Sequence, residues 1–114
     1  MNQINIRDRK TAILKSSDQI ANQRDDWIAR NSFYYQQDYE YMHFLVPPDL
    51  RVLDLGCGTG DLLATLRPSK GVGVDFSERM INIASSKYPK LNFITADVED
   101  SKFINDLEGP FDII

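Results

Sequence analysis

Two hydrophobic rhythms divide the chain near Pro47-Pro48. Before that point the apolar residues are sparse and recur at helical spacing. Ser17 is placed to cap a helix from about Asp18 to Ala29, with Ile20, Trp27 and Ile28 as its apolar positions. The many Asp, Asn, Gln and Arg residues around them predict a surface helix. Asn31 or Ser32 caps a second helix, Phe33 to about Leu45, on which Phe33, Tyr34, Tyr41, Phe44 and Leu45 form an apolar, aromatic face. Pro47 and Pro48 end it, because proline removes a backbone donor and disfavours helix in the residue before it.

After Pro48 short apolar runs alternate with short amphipathic ones. Arg51 to Leu55 is a buried strand stopped by glycine, Asp61 to Leu66 a helix, and Gly71 to Asp75 a second strand. Ser77 caps a helix from Glu78 to Lys87 with Met80, Ile81 and Ala84 on its inner face. Leu91 to Ala96 is a third strand, Ser101 to Leu107 a short helix, and Phe111 to Ile114 opens a fourth strand. Strands separated by helices predict parallel pairing in an α/β, doubly wound, Rossmann-like sheet preceded by helices. The expected division is residues 1–48 as a helical segment and 49–114 as the sheet-bearing half. The run stops within the fourth strand, which predicts a sheet truncated there, with an open edge inclined to self-association.

Gly56-Cys57-Gly58-Thr59-Gly60 lies between a strand and a helix. Glycine permits a sharp turn and a close-lying ligand there, and the helix start behind it offers free N–H groups. Asp75 ends the next strand at the same sheet edge, suited to accept both hydrogens of a ribose diol. Asp97 ends the third strand, again at that edge. Open α/β sheets bind ligands at these strand ends. Nicotinamide-type loops read G-x-G-x-x-G, whereas this loop reads G-x-G-x-G with Asp61 in the third-glycine place. An acidic group at that helix start disfavours a pyrophosphate and suits a ligand with a cationic centre.

The stretch Val52-Leu53-Asp54-Leu55-Gly56-Cys57-Gly58-Thr59-Gly60 resembles the first motif of class I S-adenosylmethionine-dependent methyltransferases. Gly73 to Ile81 resembles the family's second strand and following helix, Thr95 to Asp100 its adenine-side motif, and Phe111 to Ile114 the start of its fourth strand. The helix before Pro47 resembles the N-terminal cap of small-molecule methyltransferases. The resemblance implies S-adenosylmethionine as cofactor. Asp54 and the Gly56 backbone would face its methionine amino group, and Gly58 and Gly60 would allow its close approach. Asp75 would hold the ribose hydroxyls and Phe76 would flank the adenine. Asp97 would accept from the exocyclic amine, and the Val98 N–H would meet the ring. The implied activity is methyl transfer to a small-molecule acceptor. The other readings are an inactive or non-catalytic nucleotide-binding or interaction module, an aminopropyltransferase, and a nicotinamide-dependent oxidoreductase, which the loop spacing disfavours. No catalytic residue and no metal ligand set is assigned.

The net charge of −4 argues against a general grip on nucleic-acid phosphates. No apolar run reaches membrane-spanning length. Met1 to Lys10 lacks the apolar core of a secretory signal, and the one cysteine, Cys57, fits a reducing cytoplasm. Cys57 reads as small filler, and His43, the one histidine, as part of a helix face. Among the tyrosines, Tyr34 and Tyr35 are the better candidates to reach the cofactor carboxylate or the acceptor.

Overall fold

In the computed structural model, which describes residues 5–114, parallel strands form where the apolar runs stop at glycine or aspartate. β1 (Arg51–Leu55), β2 (Lys70–Asp75) and β3 (Asn92–Thr95) lie in the order β1-β2-β3. Both pairings are parallel, with Leu53 opposite Val72 and Val74 opposite Ile94. The fourth apolar run joins the other side of β1 through a parallel bridge between Val52 and Ile113, where the Leu53 N–H donates to the Ile113 carbonyl at 3.0 Å. The arrangement is the expected Rossmann-like α/β sheet, although Phe111 to Ile114 contributes a bridge and not a continuous strand.

Strand alternation sends successive side chains to opposite faces. Val52 joins Val46, Leu63 and Leu66 on one face, and Leu53 joins Val72 and Val74 on the other. Leu63 and Val74 are fully buried, each stabilising the fold by about 1.5–3 kcal/mol. Leu63 belongs to α3 (Asp61–Thr65), the short helix behind the glycine loop. α4 (Glu78–Lys87) follows β2 with the predicted cap: the Ser77 hydroxyl accepts from the Met80 N–H at 3.3 Å. Its Met80, Ile81 and Ala84 are buried as expected.

The helical segment departs from expectation. α1 (Ile6–Arg30) is one helix of 25 residues, capped by Asn5, whose side chain accepts from the Arg7 N–H at 3.0 Å. Ser17 lies inside it and caps nothing. No proline or glycine interrupts the stretch, so the helix continues through the serine. Asn31 donates its side-chain amide to the Trp27 carbonyl at 2.9 Å, closing α1, and α2 (Ser32–Leu45) begins without a side-chain cap. The aromatic face expected on α2 is turned outward: Phe33, Tyr34, Tyr41, Phe44 and Leu45 are all exposed. Met42 packs on the core from the other side of the helix, and Val46 just beyond its end is buried. The expected helix near Ser101 is a 3₁₀ turn, Ser101–Asp106. No helix among the described residues is long and apolar enough to cross a membrane. Residues 1–4, which open the N-terminal stretch judged unlike a secretory signal, lie outside the described residues.

α1 lies against α4 and the strand ends. The Ser77 hydroxyl donates to the Asp18 carboxylate. Lys87 pairs with Asp25 at 2.8 Å, and Lys10 with Asp97 at 2.6 Å.

Candidate functional site

β1 leads into a loop whose three glycines all take positive φ: +79° at Gly56, +56° at Gly58 and +82° at Gly60. Three anchors hold it. The Gly56 and Cys57 N–H groups donate to the Val74 carbonyl at 2.7 and 3.0 Å, and the Gly58 N–H donates to Asp75 Oδ2 at 2.9 Å. Asp75 Oδ1 also accepts from the Ser77 N–H at 2.9 Å. Asp75 is therefore a loop brace as well as a strand-end acceptor, and each oxygen keeps a second lone pair.

The glycines differ in what lies where a Cβ would project. Beside Gly56 nothing lies within 4 Å. Beside Gly58 stands the Arg24 guanidinium, 3.2 Å from that position at Nε. Beside Gly60 the Phe93 ring is 2.7 Å away. In the Cβ direction Gly58 and Gly60 are met by side chains of the protein itself, and both hold the left-handed backbone conformation that favours glycine.

Two cavities meet at Gly56. One, of about 320 Å³, is lined by Asp75, Phe76, Asp97 and Val98, with Lys10 and Ile13 of α1 across from them. The other, of about 350 Å³, is lined by Asp54, Cys57 and Asp61, with Arg24, Tyr35 and Tyr39 of the helices opposite. Asp54, Gly56, Asp75, Phe76, Asp97 and Val98 thus line one or other of two cavities that share Gly56, while Gly58 and Gly60 line neither. Tyr35 and Tyr39 face the second cavity. Tyr34 is exposed and stacks edge-on against Phe33.

Electrostatics divide the carboxylates. The Lys10 ammonium beside Asp97, with the Glu99 N–H, holds the Asp97 carboxyl below its usual range. Lys10 also reaches Glu99 at 3.0 Å. Burial raises the Asp61 carboxyl, but hydrogen bonds from Lys87, Tyr88 and Thr59 outweigh it and hold the group below its usual range. Its charge is therefore spent on an internal network, not left free for a ligand as the sequence suggested. Burial, with the Asp75 and Asp54 charges, pushes the Cys57 thiol up to about 12. A buried, protonated thiol is inert, in keeping with its reading as filler. Among the described residues no cluster of His, Cys, Asp and Glu is arranged to hold a metal ion. His43 is exposed on α2, away from both cavities.

Asp54 is the exception. Burial first, and the nearby Asp75 charge second, raise its carboxyl above the ordinary 3.8. A carboxyl raised in the folded state binds more protons folded than unfolded, so its contribution to stability falls as pH rises from about 3.8 through the raised value. At neutral pH the full penalty is present. Asp54→Asn is expected to raise the melting temperature at pH 7, with the gain fading near pH 3.5, while weakening any ligand that brings a cation to the site. Paired melts at the two pH values check this, and a variant less stable than wild type at pH 7 would contradict it.

Lys10, Ile13 and Arg24 were not found from sequence. They sit on a polar helix whose local pattern carries no sign of the distant strand ends they meet.

The sequence model of the methyltransferase domain matches residues 52–114. The chain belongs to the methyltransferase domain family. Over 68 residues it is 32% identical to the ubiquinone/menaquinone biosynthesis C-methyltransferase UbiE of Campylobacter jejuni, covering 52% of this chain and 29% of that protein. This methyltransferase chain therefore spans less than a third of that curated relative's length. Its backbone superposes on DhpI, solved as a complex with S-adenosylhomocysteine, with a TM-score of 0.65 at 19% identity over 76% of this chain and 44% of DhpI. It superposes on a TehB-like S-adenosylmethionine-dependent methyltransferase from Corynebacterium glutamicum with a TM-score of 0.53 at 20% identity, over 78% of this chain and 52% of that one. These two likenesses establish the class I methyltransferase fold.

Proposed function

We propose that this methyltransferase chain binds S-adenosylmethionine in the bent site around Gly56 and serves methyl transfer to a small-molecule acceptor. The observation that carries the reading is the meeting of two differently lined cavities at Gly56, where nothing occupies the Cβ direction. One arm suits an adenosine and the other a charged amino-acid tail.

The residues fit the cofactor. Asp75 accepts from the ribose hydroxyls with its remaining lone pairs. Phe76 flanks the adenine, the Val98 N–H meets its ring, and Asp97, which accepts from Lys10 and from the Glu99 N–H, accepts from the exocyclic amine with its remaining lone pairs. Asp54 takes the methionine ammonium, whose charge offsets the cost of burying the carboxylate. Gly56 leaves the backbone open where the two arms join, and Gly58 and Gly60 shape the turn behind it. The helical segment, residues 1–48, acts as a cap over the cofactor half, residues 49–114. When bound, the cofactor supplies an electrophilic methyl group on its sulfonium. The protein's part is to fix its orientation and exclude water, since holding both reactants in line supplies most of the acceleration such a transfer needs.

The test is thermal. S-Adenosylmethionine or S-adenosylhomocysteine is expected to raise the melting temperature, by about 2.7 kcal/mol of stabilisation at a ligand concentration one hundred times Kd. NAD is expected to leave it unchanged. A shift with NAD and none with either sulfur nucleoside would refute the reading.

A further inference from the structure

The outer face of α2 has no part in the roles assigned above. Phe33, Tyr34, Tyr41, Phe44 and Leu45 stand on it between 51 and 84% exposed. Gln37 lies among them and is also exposed. Aromatic side chains bury about 150–250 Å² each, so four of them and a leucine at these exposures offer roughly 600 Å². That matches the largest apolar patches that ordinary monomers leave open. It approaches the roughly 800 Å² that each partner brings to a standard interface.

The pattern on this face is symmetric. Its six residues stand two, five and six positions either side of Tyr39: Gln37 and Tyr41, Tyr34 and Phe44, Phe33 and Leu45. Tyr39 itself points the other way, to the cavity it shares with Asp54. At about 3.6 residues per turn the six cover the side of α2 opposite Tyr39. Such a face matches itself run in reverse. When two copies lie antiparallel and cross at Tyr39, Gln37 of each meets Tyr41 of the other, Tyr34 meets Phe44, and Phe33 meets Leu45. A two-fold contact requires this self-complementarity, because each pairing is made twice. A different protein places no such demand on the sequence. A membrane surface favours Lys and Arg beside an apolar helix face, whereas Asp38 and Glu40 flank this one.

We infer that α2 pairs with α2 of a second copy of this chain, antiparallel about a two-fold axis at Tyr39. The affinity is of micromolar order, as suits an interface at the small end of the range. The aromatic pairs form its centre. Asp38 and Glu40 stay at the rim, where salt screens their like charges. Tyr35 and Tyr39 keep their places on the cavity side of the helix, so the contact leaves the space around Gly56 free. The inference stands independently of the cofactor reading.

Sedimentation of the whole chain over a concentration series tests it. Wild type is expected to pass from monomer to dimer in the micromolar range. Tyr41→Glu and Gln37→Lys each bring like charges together near the axis, and each is expected to weaken the dimer at least about ten-fold. Both positions are exposed, so both variants are expected to melt with wild type at dilutions where wild type is monomeric. An equimolar mixture of the two variants is expected to recover dimers, since the new ammonium of one then faces the new carboxylate of the other. That recovery is particular to the antiparallel register. Wild type that stays monomeric would overturn the inference, and a monomer that cosediments with phosphatidylcholine vesicles would give the face to a membrane instead. Dimers unmoved by either substitution would place the contact elsewhere, such as a sheet edge, and overturn it too. So would a mixture that associates no better than its components.

Discussion

Replacing Asp75 by alanine is expected to weaken S-adenosylhomocysteine binding by roughly ten- to hundred-fold, since each charge-assisted hydrogen bond to the ribose is worth about 1.5–3 kcal/mol. The same change removes the acceptor for the Gly58 and Ser77 N–H groups, each 2.9 Å from the carboxylate. Asp75→Ala is therefore expected to melt earlier than wild type, as partly buried donors lose their partner at about 1–3 kcal/mol each. Asp75→Asn keeps one acceptor oxygen and is expected to lose less on both counts. A cofactor analogue without the ribose hydroxyls separates the two effects. Its affinity should fall little on going from wild type to Asp75→Ala if the carboxylate holds the diol. An equally large fall would assign the residue to loop bracing alone.

The glycine loop gives the second large effect, and it splits by position. Gly60→Ala places a Cβ 2.7 Å from the Phe93 ring edge at a φ of +82°. The left-handed conformation costs about 1–2 kcal/mol for an L-residue, and overpacking adds about 1–3 kcal/mol. Against a total of about 5–15 kcal/mol, Gly60→Ala is expected to lower the melting temperature by at least about 10 °C. Phe93 cannot retreat easily, because the same ring lies 2.7 Å from the Cβ direction of Gly73 on β2. Gly56→Ala carries a comparable conformational cost at φ +79° but meets nothing within 4 Å. It is expected to fold with a smaller loss and to bind the cofactor poorly, since the new methyl enters the space where the two arms join. Melts and titrations on both variants check the contrast. A Gly56→Ala protein with wild-type affinity would remove Gly56 from the binding surface.

The strands were legible because apolar runs stop at glycine or aspartate, and α4 because Ser77 precedes Met80, Ile81 and Ala84 at helical spacing. The strand-end acids were legible for the same reason: once the strands are placed, Asp75 and Asp97 must share an edge. α1 was legible only in its second half. Ile6, Ile13, Ile20 and Trp27 are all at least half exposed, and Leu14 and Ile28, which share the inward face with Ala21, are only partly buried, so the apolar residues of this helix do not single out the face that is covered. Its one buried residue is Ala21, too small to announce itself. The aromatic stripe on α2 misled for a related reason: helical spacing shows that residues share a face, not that the face is covered. Lys10 and Arg24 escaped because a cation's partner far along the chain leaves no local pattern. The reading of Asp61 as a free charge failed because Lys87 and Tyr88 come to it from the far end of α4.

α1 runs unbroken from Lys10, which pairs with Asp97, past Asp18 at Ser77 and Arg24 at Gly58, to Asp25 at Lys87. Lys10 and Arg24 are separated by about 21 Å of helix at about 1.5 Å per residue. A helix of that length behaves as a rigid beam, and these contacts are its moorings. Neither end lifts far without loading the other, so exchange of a ligand lying beneath it is a concerted event and not a local fraying. The moorings are partly exposed ion pairs and hydrogen bonds, which salt weakens. On the proposed reading, the residence time of the cofactor is governed less by its own contacts than by how often the whole beam comes adrift, and it shortens as ionic strength rises.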